Sequence, residues 1–318
     1  MNAENQSLMA LSPSPHVKHK NTTQSIMRDV LIALSGAFVW SIVVFGYMAA
    51  VLTVLSVALC VFYEFAFQKL MRKPVTVSDL SAAVTGVLIA FNVPVDIAPW
   101  VLIFGCFFAI IIVKQIFGGI GKNVVNPAIA ARIFMFVCWP TEMSRFFKPD
   151  AVTSSTPLAS MKSGALPDYP MLDMFLGLIP GCIGEVSSLL LIIGGIYLLV
   201  RRVITPQIPI AFILTVAVFY LALSPVGTPL QSLGYGVFGG GLILGAIFMA
   251  TDYTTSPVTP VGRIIFGVGC GLITVAIRFL GAYPEGVSFA IMIMNLLVYY
   301  IDKFTMPRVF GMGKQKNS

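Results

Sequence analysis

Apolar residues occupy this chain in long blocks separated by short polar, Gly- or Pro-containing breaks. Between Val30 and Phe67 the one charged residue is Glu64. That block is too long for a single membrane-spanning helix of about 20 residues and suits two, with the turn at Gly46-Tyr47. Further apolar blocks lie at about 77–93, 99–117, 126–140, 185–200, 208–224, 232–250, 262–280 and 286–304. The pattern predicts an all-α polytopic membrane protein of about ten transmembrane helices, some interrupted. Its divisions are a tail (1–27), five helices (28–140), one long polar loop (141–184), five more helices (185–304) and a second tail (305–318).

Composition agrees with the pattern. Of 318 residues 57% are hydrophobic and 10% charged, and the mean hydropathy is +0.91, whereas globular domains carry roughly a quarter charged residues. The net charge of +7 does not point to nucleic acid, because no basic surface interleaved with aromatics accompanies it. His16 and His19 both fall in the first tail, which excludes a membrane-embedded histidine relay or haem ligand. That tail is unlike a signal peptide, since a long mixed stretch precedes the first apolar run. Cys60, Cys106, Cys138, Cys182 and Cys270 lack CxxC spacing and read as small apolar filler. Cys138 and Cys182 bracket the long loop, and a disulfide between them is left open.

Basic residues orient the chain. With the first tail inside, the inner segments hold Lys18, Lys20 and Arg28, then Lys69, Arg72 and Lys73, then Lys114 and Lys122, then Arg201 and Arg202, then Lys303, Arg308, Lys314 and Lys316. The outer turns near Gly46, Asp96, Gly227 and Glu285 have no Lys or Arg apart from Arg278 at a span end. Under the positive-inside rule both termini face the cytoplasm and the long loop lies outside. Glu64, Asp79, Asp96, Glu185 and Asp252 fall near span ends, where contact with water is the ordinary expectation.

The two halves resemble each other. The stretch from Gly86 ("GVLIAFNVPVDIAPW…") and that from Gly245 ("GAIFMATDYTTSPVTP…") each run through a Pro-rich break and a Gly-containing span ending in one basic residue, Lys114 or Arg278. An odd number of spans per half predicts two inverted five-helix repeats, an arrangement common in transporters. The breaks Asn92 to Pro99 and Thr251 to Pro260 cannot be regular helix, since each proline removes a donor and disfavours helix before it. Non-helical backbone at that depth requires a protein or water-filled surrounding. The first break is equally readable as a surface loop; the second, with Asp252, Thr254 and Thr255, favours a binding site. "GGIGKNVVNPAIAAR" places Gly118, Gly119, Lys122 and Asn123 before Asn126-Pro127, a helix cap and first turn. It reads either as a site for an anion or dipole at a helix start or as a tight turn.

The long loop contains "DAVTSSTPLAS", residues 150–160. This segment resembles the flavinylation motif of the RnfD/NqrB family, whose members are membrane subunits of the Rnf ion-translocating electron transport complex and of the sodium-translocating NADH:quinone reductase. In that family the pattern is Asp, two loosely specified residues, Ser or Thr, Gly, Ala, Thr. Asp150, Thr153 and Thr156 match, and Ser154 and Ser155 stand where Gly and Ala are usual. "GKNVVNPAIAARIF" and "ATDYTTSPVTPVGRIIFG" are similar to further family signatures and flank the loop in the family's order. The short first tail resembles the Rnf branch more than the quinone-reductase branch.

The resemblance implies FMN phosphoester-linked to Thr156, with Asp150, Thr153, Ser154 and Ser155 as motif context, placed there by a flavin transferase reaching an exposed, extended loop. It implies one component of an ion-motive ferredoxin:NAD oxidoreductase, not catalytic alone, that relays electrons coupled to Na⁺ or H⁺ movement. The expected partners are the flavinylated RnfG, the membrane-embedded RnfA and RnfE, the iron–sulfur proteins RnfB and RnfC, and the lipid bilayer. A second, noncovalent flavin such as riboflavin would need polar groups between helices: Gly118, Gly119, Lys122, Asn123, Asn126, Asp252, Thr254 and Thr255 are the candidates. The rival expectation is an inverted-repeat channel or transporter for a small polar solute, without a redox cofactor.

Overall fold

A computed structural model describes residues 22–146, 156–167, 169–185, 187–223, 227–281, 283 and 285–307. Asp150, Thr153, Ser154, Ser155, both histidines, Lys18, Lys20, Arg308, Lys314 and Lys316 lie outside the described residues. The chain begins with α1 (Thr23–Phe45) and α2 (Tyr47–Leu70), which turn on Gly46 in the left-handed region (φ 76°). After a 3-10 turn at Val77–Asp79 come α3 (Ser81–Phe91), α4 (Pro99–Phe107) with a π-helical continuation Phe108–Gln115, and α5 (Pro127–Cys138). Three short helices follow, α6 (Pro140–Met143), α7 (Pro157–Lys162) and α8 (Met171–Leu176), then a 3-10 turn at Ile183–Glu185. The second half comprises α9 (Ser188–Val200), α10 (Gln207–Leu223), α11 (Pro229–Phe238), α12 (Leu242–Leu244) running into a π segment Gly245–Met249, α13 (Pro260–Leu280) and α14 (Val287–Thr305).

The helix starts are written in the sequence. Thr22, Asn126, Thr156, Ser187, Thr228 and Thr259 cap their helices by accepting a backbone N–H two or three residues on. Pro follows in the first turn of α4, α5, α7, α11 and α13, where its missing N–H costs nothing. Outward faces stay apolar: Val39, Val43, Val54, Phe62, Ile196 and Leu214 are all at least half exposed. Such faces are stable against lipid rather than water.

Among the described residues, α1, α2, α13 and α14 are long and apolar enough to cross a membrane. The α11 and Leu242–Met249 pair is a further candidate, and α3, α4 with its π continuation, α5, α9 and α10 are shorter apolar helices. The chain is thus an all-helical, multi-pass membrane protein. A helix occupies each predicted block, but the block at 232–250 is not straight: it bends by 57° at Gly239-Gly240-Gly241, where Gly240 and Gly241 take φ of 64° and 62°.

Within the first half α2 packs on α3 and α4, and α4 on α5; in the second half α10 packs on α11 and α13, and α13 on α14. Between halves, α1 packs on α9 and α5 on α14. Close approach depends on small residues. A Cβ on Gly86 would stand 2.7 Å from the Val57 Cα, so α3 lies directly on the α2 backbone, where the Ser56 hydroxyl donates to the Gly86 carbonyl at 2.7 Å.

Several charges are not where water contact would put them. Glu64 is 1% exposed and its side chain pairs with Lys114 at 2.8 Å. Lys114 is therefore no loop charge, and Arg278 is likewise buried. Glu185 is buried as well, whereas Asp96 is exposed as expected. The physical reason in each case is a partner or cluster from another helix, which a span-end count does not reveal. The bracketing disulfide does not form: Cys138 is exposed, Cys182 is buried, and both are free.

Candidate functional site

Two cavities lie at opposite ends of α5 and its flanking turns. The first, of about 310 Å³, is bounded by Thr156, Arg132, Phe136, Tyr283, Glu285 and Phe289, among others. Thr156 is 5% exposed, not on an exposed, extended loop as the motif reading implied. Its hydroxyl caps α7 by accepting the Ala159 N–H at 3.3 Å. The reason for its burial is local: Pro157 starts α7, and buried Leu158 and Met161 pin that short helix to the molecule, Leu158 against the Gly239-Gly240 break.

The walls of this cavity combine aromatic and charged groups. Phe136 meets Tyr283 and Phe289 edge-on, at ring-centre distances of 5.0 and 6.2 Å, and Tyr283 and Phe289 lie nearly parallel at 6.0 Å. Arg132, on α5, forms an ion pair with Glu285 and donates to the Asn92 side-chain oxygen at 2.7 Å. Asn92 itself sits in the first Pro-rich break, where its amide also donates to the Leu88 carbonyl at 2.6 Å. Glu285 keeps one buried oxygen, Oε1, without a hydrogen-bond partner among the described residues. Close by, burial above all, then the Glu285 carboxylate, pushes the Glu185 carboxyl up from the usual carboxylate range, while Arg132 pulls it down. A planar, partly polar ring system attached at Thr156 fits such a lining: aromatic faces take the rings, while a cation and unsatisfied acceptors take polar edges.

The second cavity, about 390 Å³, brings both halves together. Asn123, Asn126, Asp252 and Thr254 from the sequence candidates line it, with Lys114 and Ser81. Asn126 does two jobs there: its oxygen caps α5 through the Ala128 N–H at 3.0 Å, and its amide donates to the Met249 carbonyl at 3.2 Å. Asp252 accepts from the hydroxyls of Thr254 and Thr255 at 2.9 and 3.2 Å. Burial pushes the Asp252 carboxyl up, and these hydroxyls pull it back.

Not every candidate reaches this space. Thr255 is buried and does not line it. Gly118, Gly119 and Lys122 line neither cavity, because Gly118 and Gly119 take positive φ (116° and 93°) in the turn after the π segment and Lys122 is exposed, its stem folded over Gly118.

The π continuation of α4 gives the second cavity its charge. With i to i+5 bonding the turn is widened, and consecutive residues Lys114 and Gln115 both reach Glu64, at 2.8 and 2.9 Å. Lys114 also donates to the Ser81 hydroxyl at 2.6 Å, and that hydroxyl donates to Asp79 at 2.6 Å. Sequence reasoning passed over this chain of contacts and over Arg132, Glu285 and the aromatic walls. The available signal was the presence of Glu64, Lys114 and Arg132 inside apolar blocks.

These sites sit on segments with known relatives. Residues 10–311 match the NQR2, RnfD, RnfE family. The chain belongs to this family. It is 46% identical to the D component of the Na(+)-translocating ferredoxin:NAD(+) oxidoreductase complex of Acetobacterium woodii, with 97% of each chain covered. It is 40% identical to the D component of the proton-translocating complex of Clostridium ljungdahlii, over 96% of each, and 33% identical to the D component of the ion-translocating oxidoreductase complex of Halorhodospira halophila, over 95% of each. Family membership therefore spans both cavities, the breaks and the loop between α5 and α9.

Proposed function

We propose that this chain is the RnfD component of an ion-translocating ferredoxin:NAD oxidoreductase complex, carries FMN on Thr156 and relays electrons between its partners. The observation that carries the reading is the position of Thr156: the last residue of the motif-like "DAVTSST" stands on the wall of a cavity with aromatic faces and an Arg–Glu pair. In attachment, the Thr156 hydroxyl oxygen bonds to the FMN phosphorus of FAD, AMP leaves, and the hydroxyl proton passes to a base of the transferase. Since Thr156 is buried once α7 packs, attachment precedes that packing or reopens it. A bound flavin supplies one-electron redox chemistry. Thr156 would tether it, Phe136, Tyr283 and Phe289 would supply apolar ring faces beside it, and Arg132 would place a cation near its polar edge.

The packing pattern supports two inverted five-helix repeats. The pairs α2–α3, α2–α4 and α4–α5 recur as α10–α11, α10–α13 and α13–α14, while α1–α9 and α5–α14 join equivalent helices across the halves. In that arrangement both termini lie in the cytoplasm and Thr156 outside. The second cavity, at the cytoplasmic end, takes a noncovalent flavin through Asn123, Asn126, Asp252 and Thr254. Iron–sulfur and further membrane proteins of the complex supply donor and acceptor. The relatives named for sodium and for protons leave the ion of this chain open to either.

The test is intact-mass analysis of protein made with its flavin transferase, together with ultraviolet imaging of a denaturing gel. One FMN adduct and fluorescence, both lost in Thr156→Ala, are expected. Absence of any adduct would sink the redox reading and favour a solute channel or transporter.

A further inference from the structure

Behind the Arg132–Glu285 pair lies a second carboxylate with no ion-pair partner of its own among the described residues. Glu185 closes the 3-10 turn before α9, is 7% exposed, and leaves Oε1 without a hydrogen-bond partner among the described residues. The backbone is opened around it: a Cβ on Gly241 would stand 3.0 Å from Oε1, and one on Gly181 2.7 Å from Oε2. The charged and titratable groups facing it are Arg132 from α5, Glu285 from the turn before α14, Arg278 from α13, and Cys182 on its own segment.

Neither cation is committed to Glu185. Arg132 is held by Glu285 and Asn92. Arg278 donates its terminal nitrogens to the carbonyls of Gly236 and Gly239, at 2.6 and 3.1 Å, and its Nε has no partner among the described residues. These two bonds cap the end of α11 at the break, so Arg278 serves backbone acceptors. The Arg132 guanidinium is thus engaged by Glu285, Glu185 has no ion pair among the described residues, and each carboxylate has an orphaned oxygen. In a low-dielectric surrounding such a pair is favoured with one carboxyl neutral. Among the described residues no three acidic, cysteine or histidine side chains are arranged to hold a metal ion, and a buried carboxyl with an orphaned oxygen is satisfied by carrying a proton on it.

We infer that Glu185 is a proton-holding residue of the electron-relay site, binding its proton more tightly when negative charge enters the Thr156 cavity. This rests on the redox reading of Thr156 given above. Glu185 stands behind the cavity wall rather than on it; its proton is taken from solvent and returned there when the charge leaves, and no bond to the flavin forms or breaks. At an effective dielectric near 20, a unit charge within roughly 10 Å of a carboxyl changes its proton affinity on the order of tenfold or more. The raised carboxyl of Glu185 is consistent with this, since the group then holds or releases a proton without leaving the accessible pH range.

The experiment uses the intact complex, wild type against Glu185→Gln and Glu185→Asp. Infrared spectra across pH read the protonated-carboxyl band, and redox titration reads the midpoint of the covalent flavin. Expected are a carboxyl band present in the wild type, absent in Glu185→Gln and shifted in Glu185→Asp, growing on reduction. The wild-type midpoint should fall by up to about 59 mV per tenfold drop in proton activity, the slope for one proton per electron, with a shallower slope in Glu185→Gln. An unchanged band and an unchanged slope in Glu185→Gln would overturn the inference. Should mass analysis find no FMN adduct, the redox reading fails on its own, and the carboxyl band still decides whether Glu185 holds the proton. Glu185→Asp keeps the test open if the Gln variant does not assemble.

Discussion

Replacing Lys114 by Met removes the one cation paired with Glu64 among the described residues without changing side-chain length much. The two side chains are 4% and 1% exposed, and the Nζ to Oε2 distance is 2.8 Å. Glu64 would keep the Gln115 and Gln68 amides, at 2.9 and 3.3 Å, but no counter-charge. Removing one member of a buried pair costs about 3–5 kcal/mol, a factor of roughly 10² to 10³ or more in the folded ratio. The double variant Glu64→Gln/Lys114→Met leaves no charge, and replacing both members of a buried pair is often nearly neutral. A double-mutant cycle, read as unfolding in mixed micelles, should therefore show Lys114→Met well below wild type and the double variant recovering most of the loss. A Lys114→Met cost under about 1 kcal/mol, in the range of exposed pairs, would refute the reasoning: Glu64 would then be reached by water or already neutral.

Other outcomes follow from the same geometry. Thr156→Ala should lose all FMN adduct by mass while Thr156→Ser keeps the hydroxyl and some labelling; equal labelling in Thr156→Ala would place the link elsewhere. Asn126→Ala should lower stability by about 1 kcal/mol through the lost α5 cap and release flavin from the second cavity, measured as noncovalent flavin per protein. Gly86→Val should part α3 from α2 and cost about 1–3 kcal/mol as an overpacked contact, checked by thermal unfolding. Arg132→Met should leave Glu285 without its cation and alter the midpoint of flavin held on Thr156 while leaving the adduct mass unchanged.

Much of the architecture was legible because the bilayer imposes it. A helix of about 20 apolar residues is the usual crossing, so block lengths give element number, and Thr-Pro, Asn-Pro and Ser caps give starts within a few residues. The turn at Gly46 and the cap at Asn126 were readable from local chemistry, whereas the meeting of Asn123 and Asn126 with Asp252 and Thr254 at one cavity was not. The bend at Gly239-Gly240-Gly241 was not, because a glycine run inside an apolar block is equally compatible with a straight packed helix. Gly118, Gly119 and Lys122 were misplaced for a related reason: sequence neighbours of Asn126 need not share its face once the turn takes positive φ.

The sequence by itself determined a helical, multi-pass membrane protein and placed the motif-bearing threonine in its long polar loop, since hydropathy, proline and capping act over a few residues. Only the tertiary structure decided which charges are buried and what each one meets. Glu64 finds Lys114 and Arg132 finds Glu285 across 50 and 153 positions of chain. Such pairings arise from helix packing and the widened π turn, and no local pattern encodes them. The same packing set Thr156 in a walled cavity rather than on an open loop, and left Glu185 buried beside an arginine that another carboxylate already holds.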